Sequence, residues 1–225
     1  MSQPTHSTEP ISMARLFPLS NVVLFPYGVL PLHIFEPRYR QMTRDALADD
    51  RRIAMVLPSG GMNQEPVPIH QVACIGRIHQ ENALPDGRFT FLLHGEARVL
   101  VERELPLDRM YRVAKVQVLD DALEPNLATR RQLQRAHILS LFRQVLPEAH
   151  PSVTRFFESL AADVPPGAFA DMVAYASPLP MEIKQQLLAT PSVDRRLEVL
   201  AGALEEIREG GSDPSPDFLE GLSLN

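Results

Sequence analysis

The 225 residues carry a formal net charge of −6, 21 prolines against 11 glycines, and a single cysteine. One cysteine excludes an internal disulfide framework and a cysteine-rich zinc site. The charge is uneven: residues 1–120 hold 13 Lys+Arg and 13 Asp+Glu, residues 121–225 hold 9 and 15. Neither half therefore offers the basic surface that non-specific nucleic-acid binding needs. Hydrophobic residues make up 44% of the chain, enough for a packed core, but no apolar run approaches the ~20 residues of a membrane span.

The opening, Met1 to Pro10, is polar and lacks the basic and apolar regions of a secretory leader. The expectation is a cytoplasmic protein with a flexible segment over 1–13, in which Met13 stands as an alternative start to residues 1–12. Leu16 to Leu32 holds short apolar runs broken by Pro18, Pro26 and Pro31, which suits edge strands or an extended chain over a barrel rim. Pro37 suits the first residue of a helix, where its missing N–H costs nothing. Tyr39, Met42, Ala46 and Leu47 recur at helical spacing until Asp49-Asp50-Arg51-Arg52.

Ile53–Leu57 has the look of a buried strand, followed by a Pro58-Ser59-Gly60-Gly61 loop. Val72–Gln80 and Phe89–Leu93 flank Leu84-Pro85-Asp86-Gly87, a turn with proline to set φ and glycine to tolerate positive φ. His94-Gly95 leads into a further strand, Ala97–Val101, and Tyr111–Leu119 is the last. Such a meander predicts a mostly antiparallel sheet closed into a small barrel.

After Glu124-Pro125 the period turns helical. Asn126 is expected to cap a helix over Leu127–Leu146, and Ser152 a shorter one through Phe156, Phe157 and Leu160. A third helix carries Phe169, Met172, Val173 and Ala176, and a fourth starts at Pro180 with Ile183, Leu187 and Leu188. Ser192 caps the fifth, in which Val193, Leu197, Leu200, Leu204 and Ile207 form one apolar stripe ended by Gly210-Gly211. Residues 211–225 are expected to be flexible.

Chemistry-bearing motifs are scarce. The only lysines, Lys115 and Lys184, do not follow a glycine, so a G-x-x-x-x-G-K-[ST] phosphate loop is impossible within this chain. No G-x-S-x-G or G-x-G-x-x-G occurs, and the seven histidines show no H-x-H, H-x-x-x-H or H-E-x-x-H spacing. Cys74 sits among apolar residues on a strand and is expected to be a core residue, not a nucleophile. No catalytic residue, metal or cofactor is expected. His33-Ile34-Phe35-Glu36-Pro37-Arg38-Tyr39-Arg40 stands out, because Arg38 and Arg40 oppose the dipole of the helix they open while Glu36 favours it. They could present a fork to a partner, or Arg40 could simply pair with Glu36.

Leu16 to Tyr39, running through Phe25-Pro26-Tyr27-Gly28 and Ile34-Phe35-Glu36-Pro37-Arg38-Tyr39, resembles the opening of the Lon protease N-terminal domain family. Ala73–Ile78, Leu84–Phe89 and Gly95–Val99 resemble later strands of that family, and Asp171–Tyr175, Lys184–Leu188 and Asp194–Leu197 its helical pattern. Tyr27 occupies a position that is glycine in many members. The resemblance covers about Ala14 to Arg208. It implies an α+β fold, a PUA-like barrel over residues 14–122 and a helical bundle over 123–210. It also implies recognition of unfolded or damaged polypeptide, without the ATPase and Ser-Lys protease that follow in full-length Lon.

The leading expectation is thus a non-catalytic, stand-alone binding module for unfolded or misfolded polypeptide, or an adaptor for a separate protease or chaperone. Phe25, Pro26, Tyr27, Phe35, Glu36, Arg38, Tyr39 and Arg40 are the candidate contacts, with the apolar and aromatic ones exposed. RNA or small-ligand binding by a PUA-like barrel is the alternative, disfavoured by the charge. A hydrolase with a Cys-His or metal site is the third possibility weighed.

Overall fold

The computed structural model describes residues 11–60, 66–106, 108–146 and 164–210. The short helix expected after Ser152, residues 1–10 and residues 211–225 lie outside the described residues. Of the segment 1–13 expected to be flexible, Met13 already belongs to a strand, and the Ser12 carbonyl accepts the Val116 N–H at 3.0 Å. In chain order the elements are β1 (Met13–Pro18), β2 (Val29–Ile34), α1 (Pro37–Leu47), β3 (Arg52–Val56), β4 (Val72–Ala83), β5 (Phe89–Glu104), β6 (Arg112–Leu119), α2 (Ala128–Val145), α3 (Pro166–Ala176), α4 (Met181–Leu188) and α5 (Val193–Gly210).

The strand order β2-β5-β4-β3-β1-β6 closes into a ring because β6 also pairs with β5. The pairs are antiparallel except β1–β3, which is parallel. The long excursion through β2 and α1 supplies the crossover that a parallel pair requires. One edge of β5 pairs with β4, and the other serves two partners along its length: Phe89–His94 pairs with β2, and Arg98–Glu104 with β6. β2 is thereby carried outside the ring as a flap on β5.

Where two short strands were expected over 89–101, the chain makes one strand of 16 residues. Opposite it, Ile75 pairs with Ala97 but Gly76 with Gly95, so Glu96 is an extra residue on β5. A β-bulge absorbs it and the ladder continues. A Cβ on Gly95 would lie 2.0 Å from the Phe25 carbonyl oxygen, and one on Gly76 would lie 2.9 Å from that of His94. Gly95 leaves the notch into which the loop before β2 settles its backbone, and Gly76 makes room for the Leu93 and Leu24 side chains beside it.

Two cores follow from strand alternation. Ala14, Leu16, Ala54, Val56, Ala73, Ile75, Val99, Val101, Ala114 and Val116 pack together inside the ring, where small and β-branched residues suit the narrow bore. The opposite faces of the same strands join α1, the 19–28 loop and the helices in one larger cluster that includes Phe17, Phe25, Met42, Ile78, Phe91, Leu93, Phe169 and Leu197.

The predicted helical stripe is present in α5: Val193, Leu197, Leu200 and Leu204 have no exposed surface. Ser192 Oγ accepts the Arg195 N–H at 3.3 Å, the expected cap. Pro37 opens α1 as foreseen. Asn126 does not cap α2. It takes a left-handed φ of +64°, Leu127 becomes the cap position, and no side-chain bond closes that end.

Charged side chains weld the helices to the barrel. Arg98 on β5 bonds Asp171 of α3, the Leu188 carbonyl (3.0 Å) and Asp121 (3.3 Å). Arg196 of α5 reaches the same Asp121 at 2.8 Å and Asp171 at 3.2 Å. Arg196 and Asp171 are wholly buried and Arg98 is 3% exposed, so two buried guanidiniums are balanced by one buried carboxylate and by Asp121 at the solvent edge.

Lys184 of α4 is buried, and its Nζ donates to the Tyr175 carbonyl at 2.9 Å. Burial lowers its pKa to about 8. The unfolded chain binds this proton up to about pH 10.4, so above pH 8 the unfolded state holds more protons and stability rises with pH. Cys74 and Tyr175 act in the opposite sense at higher pH, because burial raises both, Tyr175 to about 12. The urea midpoint is expected to rise from pH 7 to 8.5. Lys184→Met should abolish that rise and add about 1–2 kcal/mol at pH 7; a variant that keeps the slope would assign it elsewhere.

Candidate functional site

The loop before β2 ends in a tight turn. Gly28 N–H donates to the Phe25 carbonyl at 3.0 Å across Pro26 and Tyr27, and Tyr27 has a φ of +67°. Proline second and positive φ third define a type II turn, whose third position favours glycine. Tyrosine there is a strained choice, and its side chain is 61% exposed. Its N–H is held by the Gly95 carbonyl at 2.9 Å, which anchors the turn to the bulge.

From Tyr27 the chain alternates strictly. Gly28 and Ile34 are buried and Leu30 and Leu32 half-buried, whereas Tyr27, Val29, Pro31, His33 and Phe35 are all exposed. A strand whose two faces are both apolar is covered on both sides or presents one of them to a partner. Register extends the exposed row sideways: Val29 pairs with His94, Pro31 with Leu92 and His33 with Thr90 on β5. His94 in turn pairs with Arg77, and Leu92 with His79, on β4. Facing side chains in such pairs share a face. One face of the β2–β5–β4 flap therefore carries tyrosine, valine, proline, leucine, phenylalanine and three histidines.

The polar groups on this face are of one sign. His79 and His94 stack with ring centroids 4.3 Å apart, and His33 lies 6.1 Å from Phe35. His94 Nε2 is buried without a hydrogen-bond partner. Burial, and then His79, holds His94 below the ordinary imidazole pKa. The neighbouring carboxylates are engaged: Glu96 with Arg77 (2.6 Å) and Arg52 (2.7 Å), Glu81 with Arg51. Burial would raise Glu96, but the bonds from Arg77 and Arg52 outweigh it and keep its pKa low.

The outer edge of β2 has no strand partner among the described residues. It is nonetheless blunted, because the Val29 carbonyl accepts the Tyr175 hydroxyl at 2.7 Å and Pro31 has no N–H.

Of the eight residues singled out from the sequence, three are inside. Phe25 and Tyr39 are core residues with 0% and 6% exposure, and Pro26 is buried with them. The notch at Gly95 takes in the Phe25 backbone, and Tyr39 packs on Phe17 with centroids 4.3 Å apart. Tyr27 and Phe35 are exposed as expected. Glu36 pairs with Arg38 at 2.9 Å, not with Arg40. Arg38 also lies over the Tyr39 ring, and the Arg40 guanidinium covers Gly87 in the β4–β5 turn. The two arginines thus point to different neighbours and form no fork. Val29, Pro31, Leu92 and the histidines were missed, although the odd-numbered alternation from 27 to 35 was visible in the sequence.

Cys74 is fully buried, and burial raises its thiol pKa. Lys115 pairs with Glu102, and the Ser177 hydroxyl bonds the Val173 carbonyl. Among the described residues no group of three or more His, Cys, Asp or Glu could hold a metal ion, and no helix is long and apolar enough to cross a membrane.

Known proteins match this chain over most of its length. The family model of the ATP-dependent protease La (LON) substrate-binding domain matches residues 13–206. Lon protease of Xanthomonas oryzae is 28% identical over 193 residues, covering 84% of this chain and 22% of that protein. Lon protease of Brevibacillus choshinensis is 28% identical over 200 residues, covering 86% and 25%. The chain thus spans about a quarter of the length of these relatives. Among solved structures, the N-terminal domain of Mycobacterium avium complex Lon protease superposes with a TM-score of 0.66 at 18% identity, covering 86% of this chain and 98% of that one. A Lon N-terminal domain protein from Xanthomonas campestris gives 0.61 at 23%, covering 85% and 98%. These two likenesses support the fold, and the match of the family model over residues 13–206 shows that the chain belongs to the Lon substrate-binding domain family.

Proposed function

We propose that this chain is a polypeptide-recognition module that does no chemistry of its own and acts as an adaptor, presenting non-native chains to a separate protease or chaperone in the cytoplasm. The observation that carries the reading is the exposed row Tyr27, Val29, Pro31, His33 and Phe35 on a member of a substrate-binding family. Exposed apolar side chains that cost solubility persist where a partner covers them. The two lysines leave no phosphate loop within these residues.

Capture of a permanently unfolded model protein, such as reduced and carboxymethylated lactalbumin, tests this directly. Phe35→Ser combined with Val29→Ser should weaken capture at least tenfold while leaving the urea midpoint within about 0.5 kcal/mol of the parent, as for surface changes. Undiminished capture would remove this face from consideration.

Tyr27→Gly separates conformation from contact. Glycine relieves the left-handed strain, so stability should rise by about 0.5–1 kcal/mol despite its greater unfolded-state entropy. Binding should fall several-fold because the exposed ring is gone. A variant both less stable and fully competent to bind would contradict both halves of the argument.

A further inference from the structure

The exposed face holds more chemical information than its apolarity. Three histidines (His33, His79 and His94) lie in or beside the register of Val29, Pro31 and Leu92, while every nearby carboxylate already has an arginine, Glu96 having both Arg77 and Arg52. We propose, building on the polypeptide-recognition reading, that the occupant of this face is an extended polypeptide segment in which apolar residues are interspersed with carboxylates, and that the histidines serve as its acid-strengthened anion contacts.

Three features support that choice. The blunted β2 edge, with Val29 bonded to Tyr175 and Pro31 lacking a donor, disfavours recognition by strand addition. The segment must instead lie across the face and be selected by side chains. Apolar positions on β2 recur every second residue, a spacing of about 6.5–7 Å, which an extended chain matches and an α-helix does not. Charge complementarity then decides between acidic and basic segments. The local excess is positive, and the residues that give the chain its net charge of −6 belong to the 121–225 half.

The pH dependence follows from the groups that surround the histidines. On β4 these are His79 and Arg77, on β2 His33, on β3 Arg52, and at the bulge Glu96, which Arg52 and Arg77 occupy. The His79 and His94 rings stack with centroids 4.3 Å apart, and burial followed by His79 holds His94 below the ordinary imidazole pKa. His94 Nε2 is buried without a partner, so the ring that a ligand carboxylate meets is the exposed His79 stacked on it, and a carboxylate beside an imidazole favours its protonated form. Binding an anion and binding that proton are therefore mutually reinforcing, and affinity rises as pH falls through the histidine range.

The experiment uses fluorescence anisotropy with the full chain and two labelled peptides of leucine, valine and glutamate or, in the twin, glutamine at every glutamate position. The acidic peptide should bind at least fivefold more tightly at pH 5.5 than at pH 7.5, while the glutamine twin should change less than twofold. His79→Asn combined with His94→Asn should flatten the acidic profile without abolishing binding of the twin. Equal affinity for both peptides at pH 5.5, or an unaltered profile in the double variant, overturns this proposal and leaves polypeptide recognition standing. Binding of neither peptide removes both. Preferential, steeply salt-dependent binding of a short RNA in the same assay overturns both in favour of nucleic acid. Circular dichroism of each variant at both pH values confirms that loss of binding is not loss of fold.

Discussion

Replacing Asp171 with alanine is expected to lower the stability of the protein by about 3–5 kcal/mol, the cost of breaking a buried ion pair by removing one partner. Asp171 is wholly buried, and both Arg98 and Arg196 end on its Oδ1. Its removal leaves two guanidiniums in a dry interior with only Asp121, itself 35% exposed, to balance them. Burial raises the Asp171 pKa, and Arg98 and Arg196 oppose that rise. Asn at this position should cost nearly as much, because it keeps the shape but loses the charge. The measurement is the urea midpoint and slope. Since Arg98 joins the barrel to α3 and α4, a lower slope or a second transition would show the helices separating first. A loss below about 1 kcal/mol would mean that water reaches the site and the weld contributes little.

Gly95→Ala is the second large effect, at about 3 kcal/mol. The new Cβ would fall 2.0 Å from the Phe25 carbonyl oxygen and 2.9 Å from its carbon. Backbone is the obstacle, so no rotamer change relieves it. The Gly95 carbonyl also accepts the Tyr27 N–H, and the Gly95 N–H donates to the Gly28 carbonyl at 2.8 Å, so displacing the loop breaks two bonds as well. Gly202→Ala is the control, for nothing lies within 4 Å of its Cβ position and alanine favours the helix. It should stabilise by a few tenths of a kcal/mol or more. Because the displaced loop carries Tyr27, Gly95→Ala should also weaken polypeptide capture even at temperatures where it remains folded.

Local signals carried much of the fold. The Pro37 start, the α5 stripe, the Ser192 cap and the Leu84–Gly87 turn depend on neighbours in sequence, and all are present: Gly87 N–H closes on the Leu84 carbonyl at 2.9 Å and Gly87 has a φ of +80°. The β5 bulge was not legible, because it depends on a partner strand about 20 residues away. Neither was the burial of Phe25, since an aromatic beside proline in a loop has the same local signature inside or out, whereas the helical spacing of Tyr39 with Met42 and Ala46 already pointed inward. The β2 alternation was present in the letters but masked by its prolines, which weaken any strand assignment. Its meaning needed the other face to be seen packed.

The sequence by itself decided the class of this protein: a barrel followed by helices, two lysines that bar a phosphate loop, and an opening signature whose family the comparisons bear out. The first two rest on short-range periodicity and enumeration and the third on a resemblance in the letters, none of which needs coordinates. Only the tertiary structure decided which of the aromatics near residues 25–40 meet solvent, that Arg38 and Arg40 part company, and that His79 and His94, 15 positions apart, stack on one face with Val29 and Pro31. Those outcomes turn on strand register, where a shift of one residue would send every side chain of β2 to the opposite face.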